Sequence, residues 1–244
     1  MIQTPLTLIH KKQLNRDVWE LALAGDTSAI TAPGQFVNLL LEGRFLRRPI
    51  SVCDWDKDIL LLLVRVAGKG TQQLCRSEVG TSFDTLMGLG NGFDISRSAG
   101  KSVLVGGGIG SAPLYGLAKR MAKAGNAPAV ALGFNSGDDT FYLKEFAELG
   151  CQISLATVDG SLGRKGLVTD LLPQTGCDYG FVCGPEPMLK AVWGCEQLTG
   201  GQFSFEERMG CGFGACMGCT CKTRYGSKRI CKDGPVLSKE EIVW

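Results

Sequence analysis

Apolar residues in the first hundred positions fall in short, turn-bounded groups rather than at helical spacing. Thr7–Ile9, Val18–Leu23, Phe36–Leu41, Ile50–Cys53 and Ile59–Val66 read as strands, separated by turn signals such as Ala32-Pro33-Gly34 and Asp54–Asp58. Short strands at even spacing predict a small antiparallel β-barrel over residues 1–98. From Lys101 the pattern changes. Ser102–Val105 reads as a buried strand, Gly106-Gly107-Gly108-Ile109-Gly110 as a tight turn, and Ser111–Lys123 carries apolar positions at helical spacing. Further strands are expected at Ala129–Gly133, Gln152–Ala156 and Tyr179–Val182, with helices near Leu143–Leu149, Gly166–Leu172 and Met188–Leu198. That alternation predicts an α/β domain with a parallel sheet over residues 99–200. Residues 201–244 are dominated by cysteine and glycine and form a small third unit.

The third unit holds the most specific chemistry. Cys211, Cys216 and Cys219 are spaced C-x4-C-x2-C, and Cys231 follows after eleven intervening residues. Four thiolates in this order form the ligand pattern of a plant-ferredoxin-type [2Fe–2S] cluster. Gly210, Gly212, Gly214 and Gly218 are interleaved with the first three cysteines, as suits a loop that must turn tightly and bring backbone N–H groups close to sulfur. A structural zinc knot is the competing reading, but it needs two paired C-x2-4-C arms and only Cys216/Cys219 supplies one. Cys221 reads as a bystander thiol.

Composition narrows the field. A chain of 244 residues has room for two domains and an appendage, and 44% hydrophobic with 20% charged residues describes an ordinary globular protein. Net charge is only +2, so no nucleic acid or other polyanion is implied. The basic residues between Lys222 and Lys232 are interrupted by Tyr, Gly and Ser, and read as a solvated face rather than a docking surface. Eleven cysteines, an odd number, and no leader pattern in Met1–His10 argue against a secreted disulfide framework. The longest apolar run, Ile59–Val64, falls far short of the roughly 20 residues that span a bilayer. A reducing cytoplasm is expected. The single histidine, His10, reads as an incidental strand residue, which leaves no Ser-His hydrolytic chemistry.

Two further segments suggest nucleotide cofactors. Arg48-Pro49-Ile50-Ser51 puts a cation, flat hydrophobes and a hydroxyl on one extended segment, able to meet a flavin's phosphate, ring and ring nitrogen in turn. Surface charge alone is the alternative for Arg47 and Arg48. Leu63-Val64-Arg65 follows one strand later, and Gly70-Thr71 opens a short helix over Thr71–Cys75 where backbone donors suit a diphosphate. Strand, glycine turn and helix around Gly106–Gly110 form the context of a dinucleotide-binding turn, although Ser111 stands at the third glycine position and Pro113 in the first helical turn. Cys183-Gly184-Pro185 closes the last strand at the carboxyl edge, where open α/β sheets bind ligands. Asp138 and Asp139 would accept ribose hydroxyls and repel a 2′-phosphate, favouring NAD over NADP.

Taken together, R-P-I-S at Arg48–Ser51, the turn at Gly106, Gly107, Gly108 and Gly110, and C-G-P at Cys183–Pro185 resemble the ferredoxin–NADP reductase superfamily. Glu207-Arg208-Met209 before the cysteine loop and Cys231-Lys232-Asp233-Gly234-Pro235-Val236 closing it make the chain similar, over its full length, to the electron-transfer subunits of NAD-linked dihydroorotate dehydrogenases. The resemblance implies a barrel that binds FAD through Arg48, Pro49, Ile50, Ser51, Leu63, Val64, Arg65, Gly70 and Thr71. It further implies a [2Fe–2S] cluster on Cys211, Cys216, Cys219 and Cys231, and NAD at the sheet. The implied partner is an FMN-containing catalytic subunit that oxidises dihydroorotate in pyrimidine synthesis, with two copies of each subunit in a heterotetramer. No dihydroorotate oxidation is expected of this chain alone. Cys183 would sit near the nicotinamide, shaping the pocket or serving only as a small buried residue. Two alternatives remain. One is a same-cofactor subunit of another NAD(P)H oxidoreductase, such as a sulfide dehydrogenase or ferredoxin:NADP oxidoreductase. The other is a zinc-stabilised nucleotide-binding sensor.

Overall fold

The computed structural model describes residues 1–98 and 101–244. Six strands close the expected barrel in the order β1-β2-β5-β4-β3-β6. They are β1 (Ile2–Gln13), β2 (Val18–Ala24), β3 (Phe36–Leu39), β4 (Arg48–Trp55), β5 (Ile59–Arg65) and β6 (Ser82–Leu89), with α1 (Lys69–Arg76) between the last two. All pairings are antiparallel. Alternate side chains such as Leu6, Leu8, Leu21, Leu23, Leu60 and Leu62 fill the interior, so the barrel is a packed core rather than a pore.

The second half is built on a seven-stranded sheet in the order β10-β9-β8-β7-β11-β12-β15. Its elements in chain order are β7 (Ser102–Gly107), α2 (Ala112–Lys123), β8 (Ala129–Phe134), α3 (Leu143–Glu148), β9 (Gln152–Thr157), β10 (Arg164–Lys165), β11 (Tyr179–Cys183), α4 (Glu186–Trp193) and β12 (Gly200–Ser204). A small hairpin of β13 (Thr220–Thr223) and β14 (Gly226–Arg229) precedes β15 (Val236–Ser238). Every pairing in the large sheet is parallel except that of β15 on β12. The chain builds outward from β7 through β8 and β9, then crosses back to place β11 on the other side of β7. Strand order therefore reverses between β7 and β11, the place where such sheets bind ligands.

Three expectations need adjustment. Gly166–Leu172 is not an α-helix: Gly166 has φ +143, and a 3-10 helix runs over Val168–Gln174 with Pro173 inside it. The last helix begins at Glu186 with Pro187 in its first turn and stops at Trp193, before Gly194. A division at residue 200 cuts β12 after its first residue, and β15 returns from the cysteine-rich segment to the same sheet. The division expected at 98/99 borders Ala99 and Gly100, which lie outside the described residues.

Barrel and sheet meet through buried polar contacts as well as apolar ones. Asp54 on β4 receives Lys119 and, at 3.1 Å, Arg120 of α2. The Arg120 guanidinium stacks 3.4 Å from the centre of the Trp55 ring. Tyr142 donates to Glu20 at 2.6 Å. Asn91 exchanges two hydrogen bonds with the backbone of Val236, which fastens the barrel to the cysteine-rich segment.

Candidate functional site

A cavity of ≈ 260 Å³ lies where barrel, sheet and cysteine-rich segment converge. Pro49, Ile50 and Ser51 of β4 and Leu63, Val64 and Arg65 of β5 form one wall. Gly110 and Cys183 form the sheet side, and Phe205, Glu206 and Met209 close the cavity from the third unit. Met209 belongs to the Glu207-Arg208-Met209 segment that marked the family resemblance, whereas Phe205 and Glu206 had no sequence signal beyond standing near the cysteine loop. Cys183 is buried, and burial first, then the charge of Glu206, push its thiol up to about 12. It is therefore a neutral, compact wall group.

Arg48, Gly70 and Thr71 stand together at the start of α1 and outside this cavity's walls. A Cβ on Gly70 would fall 2.0 Å from Arg48 Nε, so glycine lets the guanidinium lie across the helix end. The Thr71 hydroxyl accepts from the backbone N–H of Ala67 and Gly68 and fixes that turn.

An adjoining cleft of ≈ 540 Å³ opens at the strand-order reversal. It shares Arg65, Ile109, Gly110 and Glu206 with the first cavity. Gly107, Gly108 and Gly110 from the first glycine turn and Gly184 and Pro185 from the end of β11 line it, whereas Gly106 is buried behind them against Leu132 and Ser111. Gly108 has φ +52, and a Cβ on Gly110 would meet the Cys183 carbonyl at 2.5 Å. The turn thus needs glycine for both conformation and close approach. The barrel also contributes to this cleft, through Asn15, Arg16 and Asp17 of the β1–β2 turn, residues with no motif to mark them.

The four cysteines occupy one loop system. Ala215 and Cys216 direct backbone N–H groups at Cys211 Sγ, at 3.2 and 3.4 Å, and Gly218 directs one at Cys216 Sγ at 3.5 Å. Cys231 N–H points at Cys219 Sγ at 3.4 Å. Burial pushes the Cys211 thiol up, but N–H groups of Cys216, Phe213 and Ala215 together outweigh it and bring it down to about 6. The Cys231 thiol is pushed up to about 12 by burial and by its neighbour Cys219. Asn38 of β3 donates to the Cys211 carbonyl at 3.2 Å, and Arg229 holds the Gly214 carbonyl at 2.9 Å while paired with Asp233.

Among the described residues, no three His, Cys, Asp or Glu side chains converge as a single ion would require. Within the loop Cys211 interacts with Cys216 and Cys231 with Cys219, and Cys231 also feels Cys211. Two irons bridged by sulfide take two thiolates each, which four thiols in this order can supply. The N–H groups aimed at sulfur suit a cluster that carries negative charge. Cys221, on β13, is half-buried against the core cluster that also holds Cys219 and Cys231.

Comparison with known proteins agrees. Residues 206–243 match the family model for the iron-sulfur cluster binding domain of dihydroorotate dehydrogenase B. The dihydroorotate dehydrogenase B (NAD(+)) electron transfer subunit of Geobacillus sp. (strain WCH70) is 40% identical over 100% of this chain and 99% of its own length. That of Listeria monocytogenes serovar 1/2a (strain ATCC BAA-679 / EGD-e) is 40% identical over 99% of each. Among solved structures, the NADH-dependent reduced ferredoxin-NADP oxidoreductase is 30% identical and covers 98% of this chain and 90% of its own, with a TM-score of 0.89. The ferredoxin reductase in carbazole 1,9a-dioxygenase shares the fold at 19% identity, with a TM-score of 0.66, covering 78% of this chain and 64% of its own. Barrel, sheet and four-cysteine loop, with relatives alike from end to end, make this chain a member of the family of dihydroorotate dehydrogenase B (NAD(+)) electron transfer subunits.

Proposed function

We propose that this chain relays electrons from an FMN-containing, dihydroorotate-oxidising catalytic subunit to NAD+, within a heterotetramer of two copies of each subunit that serves pyrimidine synthesis. The observation that carries the reading is the segment Phe205–Cys211. Phe205, Glu206 and Met209 wall the cavity at the barrel, and Cys211, the first thiol of the loop, follows two residues after Met209. Two residues of chain span at most about 7 Å, so the ring cavity and the cysteine loop are immediate neighbours. The cleft at the sheet shares a wall with that same cavity. The ring cavity therefore adjoins both the cysteine loop and the sheet cleft.

When bound, a flavin between an iron–sulfur cluster and a nicotinamide converts one-electron into two-electron chemistry. The chain's own part is to hold and align. Arg48 and the backbone at Gly70 and Thr71 would take the flavin phosphates, while Pro49–Ser51 and Leu63–Arg65 hold its ring. Gly107, Gly108 and Gly110 would present backbone N–H groups to a dinucleotide, with Gly184 and Pro185 beside the nicotinamide. Cys183 stays protonated and shapes the contact between the two rings. Cys211, Cys216, Cys219 and Cys231 would hold the cluster, with the exposed Cys216 facing outward and Cys219 and Cys231 facing the core.

Dihydroorotate-dependent NADH formation tests this, with the holo-subunit alone and then after co-expression with the catalytic subunit. Activity only in the mixture is expected. A silent mixture in which NADH still bleaches the visible absorbance would overturn the dihydroorotate assignment. It would instead favour a partner of the kind suggested by the oxidoreductase at TM-score 0.89.

A further inference from the structure

The turn between β1 and β2 reaches over the dinucleotide cleft through Asn15, Arg16 and Asp17, none of which lines the flavin-side cavity. It is stiff. The Asn15 side-chain oxygen accepts from the N–H of Asp17 at 3.1 Å and of Val18 at 2.8 Å, and Leu14 N–H donates to the Val18 carbonyl at 2.9 Å. The same Asn15 donates its amide to the Asp139 carbonyl at 2.8 Å, which pins the turn to the loop after β8. At the tip, Arg16 lines the cleft and lies 3.5 Å from Asp139, its side chain 79% exposed. The backbone is therefore fixed while the guanidinium is free to swing.

Charge in the cleft gives that freedom a purpose. Among the described residues lining it, the cations are Arg16 and Arg65, set against Asp17, Asp139 and Glu206. Arg65 also lines the ring cavity, which the cleft shares. A dinucleotide brings a diphosphate with two negative charges into a cleft already slightly acidic. The glycine turn offers only backbone dipoles. Arg16 is the cation that lines this cleft and not the ring cavity.

We propose that Arg16 is the phosphate-binding arm of this cleft, parked on Asp139 and transferred to the diphosphate of the nicotinamide dinucleotide when it binds. The exchange is favourable because this pair, long at 3.5 Å and open to solvent on its Arg16 side, is weak, whereas a guanidinium fork on phosphate oxygens inside a cleft is short, directional and less screened. Because Arg16 belongs to the barrel and the glycine turn to the sheet, one contact draws both halves onto the ligand. Asp139 thereby changes role. With Ser136 donating to its carboxylate at 2.9 Å and Arg16 beside it, it acts as a parking site for Arg16 rather than as a bare charge.

The inference rests on the reading of this cleft as the NAD site, and the experiment separates the two. Binding of ADP-ribose, NAD+ and adenosine is measured by titration calorimetry on the oxidised holo-subunit, which none of the three reduces. Arg16→Ala is expected to weaken ADP-ribose and NAD+ by about tenfold to a hundredfold, the usual effect of losing a charged hydrogen-bonding partner, with adenosine unchanged. Arg16→Lys keeps the charge without the fork and should fall between. Asp139→Asn should tighten ADP-ribose severalfold by releasing Arg16. If the parent binds NAD+ and ADP-ribose and Arg16→Ala binds them equally well, the arm is refuted while the NAD site stands. If the parent binds neither, both fall. An equal loss for adenosine in Arg16→Ala would also refute it, since the turn would then be shaping the cleft rather than reading phosphate.

Discussion

At the scale of single residues, the four cysteines are alike in sequence and unlike in environment. Cys216 is exposed on the rim, while Cys219 is 2% exposed and packs with Ile230, Cys231 and Leu237 in the largest core cluster. The spacing marks all four as ligands. It cannot say which of them also fills space, because that depends on β15 returning beside the loop. Serine at either position removes a ligand. Only at Cys219 does it also bury a hydroxyl among aliphatic side chains, at a cost of about 1–3 kcal/mol. Compared in iron-free form, Cys216→Ser should melt with the parent, and Cys219→Ser about 4–8 °C lower if the cost is near 2 kcal/mol. In the assembled complex Cys216→Ser should lose transfer from the partner yet keep NADH oxidation by artificial acceptors that draw from the flavin. Equal loss of both activities would mean that the loop supports the flavin site itself.

At the scale of elements, the short hairpin β13–β14 depends on the chain's last turn. Lys228 of β14 pairs with Glu241, whose other carboxylate oxygen accepts from Ser238 N–H at 2.7 Å, and Arg224 N–H donates to the Glu241 carbonyl at 2.8 Å. Burial alone would raise the Glu241 carboxyl. Lys228 and the Ser238 N–H overcome this and hold it below its ordinary value of 4.5. A carboxyl depressed in the folded state contributes stability above its unfolded value, and that contribution is lost as pH falls through the folded value. Glu241→Gln should therefore cost roughly 1–2 kcal/mol at pH 7, keep that cost down to the ordinary carboxyl value of 4.5, and lose it progressively below, read as melting curves that converge only in that acid range. A constant gap between the curves would assign the effect to packing. Elements such as these were the least legible part of the chain. β15 has three residues and β12 opens with Gly200-Gly201, so neither carries a period long enough to read, and both exist because the neighbouring strand edge is available. β6 is a different case: Phe83, Thr85 and Met87 alternate, with Phe83 and Met87 in the barrel core, but buried Leu86 and Leu89 join the core shared with the sheet and break the pattern. The glycine turn and the C-G-P strand end were readable because their chemistry is local. The β1–β2 turn was not, because nothing in Leu14–Asp17 foretells that the barrel will set it over the sheet.

At the scale of the whole molecule, three sequence units do not make three independent folding units. The largest core joins Phe36, Leu86 and Leu89 of the barrel to Val105, Val182 and Phe203 of the sheet and to Ile230 and Leu237 of the cysteine-rich segment. A second core joins Cys53 and Leu63 of the barrel to Leu104, Leu114 and Phe181. Interfaces between domains of one chain are ordinarily modest and polar, and permit relative motion. Here apolar residues run continuously across them. A relay has reason to be built this way, since electron transfer between fixed centres depends on spacing that domain motion would change. One calorimetric transition is therefore expected, with calorimetric and van't Hoff enthalpies in agreement. Asp54 is the sharpest probe of the joint, because its nearly buried carboxylate is what Lys119 and Arg120 converge on. Asp54→Ala leaves two cations facing each other beside Trp55. Lys119 is half exposed and partly relieved by solvent, so the loss should be about 1–3 kcal/mol rather than the full cost of a broken buried pair. If the continuous cores hold the halves together, the variant's transition moves down in temperature and stays single. Two resolved transitions in Asp54→Ala would show that this ion cluster, and not the shared core, makes the halves unfold as one.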